Sequence, residues 1–351
     1  MAKGPKEETA APMALYRAYR PADFKDVRGQ EEVVSVLEAA VKKGEIAHAY
    51  LFAGGRGTGK TSMARILARA VGTVDEDIYE MDAASNRGID EIRELREGVS
   101  TLPFSSRYKF YIIDEAHALT KDAWGAFLKT LEEPPAHAVF VLATTELERV
   151  PETIRSRCQV FQFKKPSHEI LKKLVLDVAK KEGVSLAPAG AELIALMGDG
   201  SFRDTLGVLQ KALTVSEGEK LGEEEIARVV GAPAAGMVND FLVGAAQNKT
   251  EAALAAFHAA IAGGAEARVF IMLALAKARG VLLLRYAPKL KAELIDQFGE
   301  DDLALMERLA GAEGKEINSL FLSELITALI ETPRAPIPEL PLELALYRLA
   351  H

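Results

Sequence analysis

Apolar runs and amphipathic helical patterns alternate over the first half of the chain. Residues 49–52, 110–113 and 139–142 are almost continuously apolar, which is typical of parallel strands that are buried on both faces of a sheet. Residues 159–163 form a further predicted strand. Because strands and helices alternate, the pattern predicts a parallel α/β sheet. The helices predicted between these strands lie at residues 61–71 and 123–131.

The strand signal ends after the last of these strands, and apolar residues then recur at helical spacing. A break rich in glycine and proline at residues 231–236 separates this second region from a third. The pattern predicts a disordered tail at residues 1–14, an α/β domain at 15–166, a small helical domain at 167–232 and an all-helical domain at 233–351. Helices beyond the sheet are predicted at residues 170–178, 191–197, 204–213, 237–246, 251–262, 267–285, 301–309, 317–329 and 342–349.

The charge balance limits the classes of function. The chain has 351 residues, with 43 Lys and Arg against 51 Asp and Glu, and a net charge of −8. This balance excludes a protein that coats nucleic acid through bulk positive charge, although a local basic patch stays possible. The one cysteine, Cys158, excludes an internal disulfide and a four-thiolate zinc site. We find no secretory signal and no apolar run of the about 20 residues that span a bilayer, so we expect a soluble cytoplasmic protein with no membrane partner.

A glycine-rich segment lies between the first predicted strand and the first predicted helix. It fits the P-loop pattern G-x-x-x-x-G-K-[ST], and this strand-to-helix context is the one that the motif requires. Backbone N–H groups of such a loop surround phosphates, the lysine reaches the terminal phosphates of ATP and the last hydroxyl ligates Mg²⁺. The alternative is a glycine-rich turn with an incidental lysine. The segment consists of Gly54, Gly55, Arg56, Gly57, Thr58, Gly59, Lys60 and Thr61.

An acidic pair, Asp114 and Glu115, ends the predicted strand at residues 110–113. Ligands of open α/β sheets bind outside the carboxyl ends of the strands. With a P-loop upstream, the pair is typical of a Walker B motif, in which Asp114 holds Mg²⁺ and Glu115 orients and deprotonates the attacking water. Without the P-loop, an acidic helix N-cap would be the better interpretation.

Two polar positions follow this pair. His117 completes the string Asp-Glu-Ala-His, which also occurs in nucleic-acid helicases, and we interpret it as a packing or polar-network residue beside the site. Thr145 follows the predicted strand at residues 139–142, where a hydroxyl can contact the terminal phosphate or the attacking water. Threonine is common at strand ends, so this position alone carries little weight.

Two arginines are further candidates. Arg157 has a fixed charge and a planar guanidinium that suit phosphate recognition, although surface arginines are usually only solvated. Arg203 follows Ser201, a predicted helix N-cap with Asp204 as its capping-box partner. An arginine in a first helical turn opposes the helix dipole, which suggests an external anion; an exposed arginine without a partner is the alternative.

Together these motifs resemble the gamma/tau subunits of bacterial DNA polymerase III, the AAA+ motors of the sliding-clamp loader. The most specific string is Leu-Lys-Thr-Leu-Glu-Glu-Pro-Pro at residues 128–135, and the resemblance extends over about residues 16–213. Residues 19–30 are similar to the N-terminal segment of the family's nucleotide site. The resemblance implies a P-loop AAA+ domain, followed by a helical lid domain and an all-helical collar domain that joins subunits.

The resemblance also implies roles for individual residues. Arg157 matches the arginine finger that completes the ATP site of a neighbouring subunit, and Arg203 matches the sensor that links the lid to nucleotide. Thr145 matches the first sensor, with Thr144 as the alternative. Residues 83–93 match the segment that follows the template backbone, so Arg87 and Arg93 are candidate DNA phosphate contacts, which would be sensitive to salt and insensitive to sequence.

The chain departs from the family at two points. The family carries a four-cysteine zinc module after the P-loop helix, whereas here residues 72–77 lead directly to Ile78. We therefore expect ATP and Mg²⁺ but no zinc. The chain also lacks the C-terminal extension with which the tau form recruits polymerase and helicase, so we expect a gamma-length chain or a shortened one.

The first hypothesis is therefore an ATP-driven clamp loader. Its partners would be copies of itself, subunits of the delta and delta-prime types, the sliding clamp and primer–template DNA. One alternative is a nucleic-acid translocase or helicase that uses the same P-loop. Another is a scaffold that binds ATP without hydrolysing it, against which the complete set of Lys60, Thr61, Asp114 and Glu115 argues.

Overall fold

The computed structural model describes residues 13–215, 220–234, 236–291, 294, 298, 300–311 and 314–350. Residues 1–12 of the predicted tail lie outside this part of the chain. The chain forms two compact units: one holds the described residues up to Lys173 together with Gly198–Gly207, and the other holds Leu174–Met197 and the described residues from Val208 onward. The predicted domain boundaries after residues 166 and 232 stay a prediction.

Five strands form the sheet of the first unit: β1 (Ala49–Gly54), β2 (Ile78–Asp82), β3 (Lys109–Asp114), β4 (Ala138–Thr144) and β5 (Gln159–Phe163). They lie in the order β2-β3-β4-β1-β5, and all neighbouring strands are parallel. The prediction of a parallel α/β sheet is confirmed. Because the strands are parallel, the carboxyl ends of β1, β3 and β4 meet at one edge of the sheet, where such sheets bind ligands.

The first unit begins with six helices. They are α1 (Leu15–Ala18), α2 (Glu31–Lys43), α3 (Lys60–Ala70), α4 (Ile89–Val99), α5 (Lys121–Glu132) and α6 (Glu152–Arg155). Two longer helices, α7 (His168–Lys181) and α9 (Phe202–Val215), begin in the first unit and end in the second, and α8 (Pro188–Met197) belongs to the second.

Helices cover both faces of the sheet because successive strand residues point to opposite sides. Tyr50 and Phe52 of β1 pack with Met63 of α3 in one buried cluster. Leu51 packs with Phe127 of α5 in a second cluster on the other face. Both faces of the central strands are therefore apolar and buried, which explains why their sequences are continuous apolar runs.

Among its described residues, the second unit contains seven further helices: α10 (Glu223–Val230), α11 (Met237–Ala246), α12 (Thr250–Ala262), α13 (Ala267–Tyr286), α14 (Glu300–Ala310), α15 (Ser319–Glu331) and α16 (Leu340–Ala350). Their shared core includes the fully buried rings of Phe241, Phe257 and Phe270. The predicted all-helical C-terminal region is confirmed. Among the helices that the structure describes, none is long and apolar enough to span a bilayer.

Residues 167–232 contain two short strands beside the helices that the pattern predicts. Two short strands, β6 (Ser185–Leu186) and β7 (Lys220–Leu221), pair in parallel within this region. Hydrophobic periodicity does not register a strand of two residues, because a period of two needs at least four positions to be recognised.

Arg285 of α13 binds carbonyl oxygens at the end of α14 and in the segment after it. Its guanidinium donates hydrogen bonds of 2.7–3.0 Å to the carbonyl oxygens of Leu309, Ala310, Gly314 and Ile317. The last four carbonyls of a helix have no partner within the helix. Arg285 supplies donors at this end, so its charge serves the fold of the second unit.

Candidate active site

The glycine-rich segment connects the carboxyl end of β1 to the amino end of α3. Gly57 and Gly59 have φ angles of +69° and +101°, which side-chain-bearing residues rarely adopt. A Cβ atom on Gly57 would lie 2.0 Å from the hydroxyl oxygen of Ser201. The loop therefore needs glycine at residue 57 both for its backbone conformation and for the approach of the segment before α9.

Lys60, the first residue of α3, is only 6% exposed. Its ammonium donates hydrogen bonds of 2.9 Å to the carbonyl oxygens of Gly54 and Gly55. Burial lowers the pKa of Lys60, while the carboxylates of Glu115 and Asp114 oppose this shift. The ammonium is buried and bound to neutral carbonyls, and the N–H groups of the first turn of α3 lie beside it. Together these groups form a site that suits a phosphate.

Thr61 and Asp114 lie together at the carboxyl edge of the sheet. The Thr61 hydroxyl donates a hydrogen bond of 2.8 Å to a carboxylate oxygen of Asp114. A hydroxyl and a carboxylate oxygen are ligands that Mg²⁺ accepts, with phosphates and water as the other ligands. These two residues therefore fit the predicted magnesium site. Within the described part of the chain, no three His, Cys, Asp or Glu side chains are grouped to hold a metal by themselves.

Glu115 follows Asp114 with a left-handed backbone, φ +47°. A non-glycine residue in this region is uncommon and costs about 1 kcal/mol or more. Its carboxylate accepts a hydrogen bond of 3.1 Å from the hydroxyl of Thr145, which follows β4 directly. The structure thus brings the predicted base and the predicted sensor hydroxyl together across neighbouring strand ends.

His117 joins this pair in a polar network. Its Nδ1 lies 3.1 Å from the Thr144 hydroxyl and 3.5 Å from a Glu115 oxygen, and its Nε2 lies 3.1 Å from a Glu146 oxygen. The Thr144 hydroxyl also accepts a hydrogen bond from the N–H of Glu146. The interpretation of His117 as a polar-network residue agrees with these contacts. The two neighbouring threonines have different partners, and Thr145 is the one that contacts Glu115.

The start of α9 lies against the P-loop within the first unit. The N–H of Phe202 donates to the carbonyl of Gly57 at 3.0 Å, and Arg203 lies over the ring of Tyr16, 5.8 Å from its centre. Ser201 caps the helix by accepting a hydrogen bond from the N–H of Asp204. The other half of the predicted capping box is not formed, because the N–H of Ser201 donates to Gly198 instead.

Two further residues belong to the site and were not among the predicted site residues. Burial lowers the pKa of the half-buried Arg20; among the nearby charges Arg65 lowers it further and Glu80 opposes the shift, and Arg203 and Asp114 act in the same two directions more weakly. The buried Gln30 pairs with the backbone of Lys164: it donates at 2.7 Å and accepts at 3.2 Å. The resemblance of residues 19–30 to a nucleotide-site segment was the signal that could have identified both.

Arg157 lies apart from these contacts, at the end of α6. One side of its guanidinium donates to the carbonyl of Thr153 and the other to a carboxylate oxygen of Glu132, both at 2.8 Å. Its neighbour Cys158 is half-buried, and burial raises the pKa of that thiol to about 12. The thiol is therefore protonated at neutral pH and acts as a packing group.

The remaining predicted contacts are on the surface. Arg56, Arg87 and Arg93 are exposed, and Arg93 pairs with Asp90 at 2.9 Å in the first turn of α4. Arg87 offers its backbone carbonyl to the N–H of Thr120, the cap of α5. Their role as DNA contacts stays a prediction.

Comparisons with known proteins agree with the motifs. A family described as DNA polymerase III, delta subunit, matches residues 29–86 and 74–167, and one described as DNA polymerase III subunits gamma and tau domain III matches residues 221–351. The chain is also similar to Thermotoga maritima RuvB, described as a Holliday junction branch migration motor. The two structures align with a TM-score of 0.52 at 23% identity, over 64% of this chain and 78% of the other, which supports the AAA+ fold alone.

Three relatives cover different shares of the chain. The DNA polymerase III subunit gamma/tau of Mycobacterium tuberculosis is 35% identical over 96% of this chain and 62% of its own length. The tau subunit of Bacillus subtilis is 43% identical over 62% of this chain and 42% of its own length, and that of Escherichia coli is 30% identical over 95% and 54%. The chain spans less than two thirds of the length of these relatives. With its P-loop, its Walker B strand and these similarities along almost its whole length, the chain belongs to the gamma/tau family of DNA polymerase III subunits.

Proposed function

We propose that the chain is an ATP-hydrolysing motor subunit of a bacterial clamp loader. In this role it would act in the cytoplasm, open the sliding clamp and load it onto primer–template DNA. The observation that carries the proposal is the arrangement around Lys60: a buried ammonium bound to two carbonyls, next to the paired Thr61 and Asp114. Because the chain belongs to the gamma/tau family, we assign this nucleotide chemistry to clamp loading.

Each residue of the site has a task in hydrolysis. Lys60 and the N–H groups of the P-loop would bind the phosphates of ATP, and Thr61 and Asp114 would hold Mg²⁺, which neutralises charge on the transferring phosphoryl group. Glu115 would accept a proton from the attacking water. Thr145, which donates to Glu115, would orient that carboxylate.

Other residues would couple the site to the assembly. Arg203 would act as a sensor, because the start of α9 is attached to the P-loop at Gly57. Arg157 would complete the site of a neighbouring subunit, either a copy of this chain or a subunit of the delta or delta-prime type. Arg87 and Arg93 would contact DNA phosphates from an exposed surface.

The test is ATP hydrolysis by the chain assembled with delta-type and delta-prime-type subunits. The rate is measured with the ring clamp alone, with primed DNA alone, with both, and with single-stranded DNA alone. We expect strong stimulation only when both are present. Stimulation by single-stranded DNA without the clamp would replace the proposal with a translocase, and the absence of turnover under all conditions would replace it with a scaffold.

A further inference from the structure

Arg157 is held on two sides by its own chain. The carbonyl of Thr153 accepts from Nη1, and Glu132 Oε1 accepts from Nη2, both at 2.8 Å. Arg157 and Glu132 are 25 residues apart in the sequence. A free arginine side chain samples many rotamers, and two fixed hydrogen bonds remove most of this freedom.

The two holding groups belong to elements that are anchored in one core. Glu132 is the last residue of α5, whose Phe127 and Leu131 are buried against the sheet. Thr153 lies in α6 beside Ile154, which is buried in the same cluster. The guanidinium therefore has a defined position relative to the sheet before any partner subunit binds.

The ion pair itself contributes little to folding. The side chains of Arg157 and Glu132 are 36% and 45% exposed, and pairs of this exposure add little to the free energy of unfolding. Substitutions at Glu132 should therefore leave the fold intact. Its neighbour Glu133 is also exposed and carries the same charge, which makes it a matched control.

We propose that Glu132 is a positioning residue for Arg157, which it holds in the orientation that a neighbouring subunit's nucleotide requires. This inference rests on the proposed function of Arg157 in trans. The catalytic contribution of an arginine finger depends on where its guanidinium lies, because a displacement of about 1 Å can cost about 100-fold in rate. A carboxylate oxygen that fixes one edge of the guanidinium leaves its remaining N–H groups for a phosphate.

The experiment measures kcat and KM for ATP in the complete assembly, with clamp and primed DNA. Glu132→Ala is expected to lower kcat by about threefold to fivefold, the most that losing an exposed pair can cost, with KM for ATP unchanged, because nucleotide binds to the neighbour's P-loop. Glu132→Gln keeps an oxygen acceptor and loses only the charge, so kcat should stay within about twofold of wild type. Glu133→Ala should leave kcat unchanged.

A double-mutant cycle tests whether Glu132 acts through Arg157. Glu132→Ala should have no further effect on kcat when Arg157 is already alanine. An equal loss in both backgrounds would overturn the inference, and so would normal kcat in Glu132→Ala. If Arg157→Ala itself hydrolyses ATP at the normal rate, the function proposed for Arg157 fails instead, and the two failures are distinguishable.

Discussion

Lys60 in the sheet-containing unit and Lys277 in the helical unit are both largely buried, but their partners differ. Lys277 forms an ion pair with Asp302 at 2.6 Å and donates to Asn239 at 2.8 Å. Lys60 is held by the carbonyls of Gly54 and Gly55. A buried ammonium with a counter-ion serves the fold, whereas the ammonium of Lys60, whose pKa is lowered by burial, costs stability and fits an external anion.

The same contrast extends to the backbone and to the arginines. In the first unit, Glu115 takes a left-handed conformation at the end of a strand and contacts Thr145, whereas the left-handed Asn248 of the second unit lies in a turn between two helices, where asparagine tolerates this conformation. In the second, Arg285 donates to four carbonyl oxygens in and beyond α14. Uncommon backbone conformations tend to occur at functional sites. An arginine whose N–H groups donate to acceptors within its own chain is typical of a structural role. The first unit is therefore the one that carries the chemistry.

The largest expected effect is the loss of ATP hydrolysis on substitution of Lys60, which tests the comparison of the two lysines. Lys60→Ala should lower ATP hydrolysis by the assembly by about 10²–10³-fold, because it removes a preorganised donor to the phosphates. Its free energy of unfolding should not fall, since the variant no longer buries an ammonium whose pKa is lowered by burial. Steady-state hydrolysis and urea denaturation measure the two quantities.

Lys42→Ala is the control for this variant, because Lys42 is exposed on α2. It should change neither quantity. Normal hydrolysis by Lys60→Ala would show that the P-loop does not serve catalysis, and a large loss of stability would show that Lys60 is a structural residue like Lys277.

The next largest effect is expected at Lys277, where stability should fall and hydrolysis should not. Lys277→Ala should lower the free energy of unfolding by about 2 kcal/mol, because Asp302 and Asn239 lose a shared donor in a largely buried position. Hydrolysis per folded assembly should be retained. Urea denaturation followed by circular dichroism checks the change, with the exposed Lys289→Ala as a control expected to stay within about 0.5 kcal/mol of wild type. A stable Lys277→Ala would contradict a structural role for this ion pair.

The smallest effect concerns Asp77, a buried carboxylate of the first unit whose hydrogen bonds favour its charged form. Its buried carboxylate accepts hydrogen bonds from the N–H groups of Phe104, Ser105 and Ser106 at 2.5, 3.1 and 2.9 Å. Burial would raise the pKa of Asp77, but these bonds outweigh burial and lower it. Asp77→Asn should lower the free energy of unfolding by about 1–2 kcal/mol at pH 7.

The pH dependence of this effect follows from the sign of the shift. A carboxyl group with a lowered folded pKa adds stability above its unfolded pKa of about 3.9, and this stability is lost as the pH falls through the folded value. The difference between wild type and Asp77→Asn should therefore shrink below about pH 4. A constant difference from pH 3 to pH 7 would contradict the role of the ionised carboxylate, and Asp75→Asn, at an exposed ion pair, should have little effect at any pH.

Much of the fold follows from local pattern. The central strands are recognisable because both of their faces are buried, and α11 matches the predicted residues 237–246 at both ends. The edge strand β2 gives a weaker signal, since Tyr79, Glu80 and Asp82 are exposed. Where a strand has only one neighbour and an exposed side, its residues no longer form an apolar run.

The sequence by itself determined the P-loop, the Walker B pair and the helical C-terminal half, because each of these depends on residues close together in the chain. Only the tertiary structure decided which side chains meet across the fold. Gln30 contacts Lys164, 134 residues away, and Glu132 contacts Arg157, 25 residues away. Such contacts depend on strand order and on the positions of helix ends, which no local spacing of residues encodes.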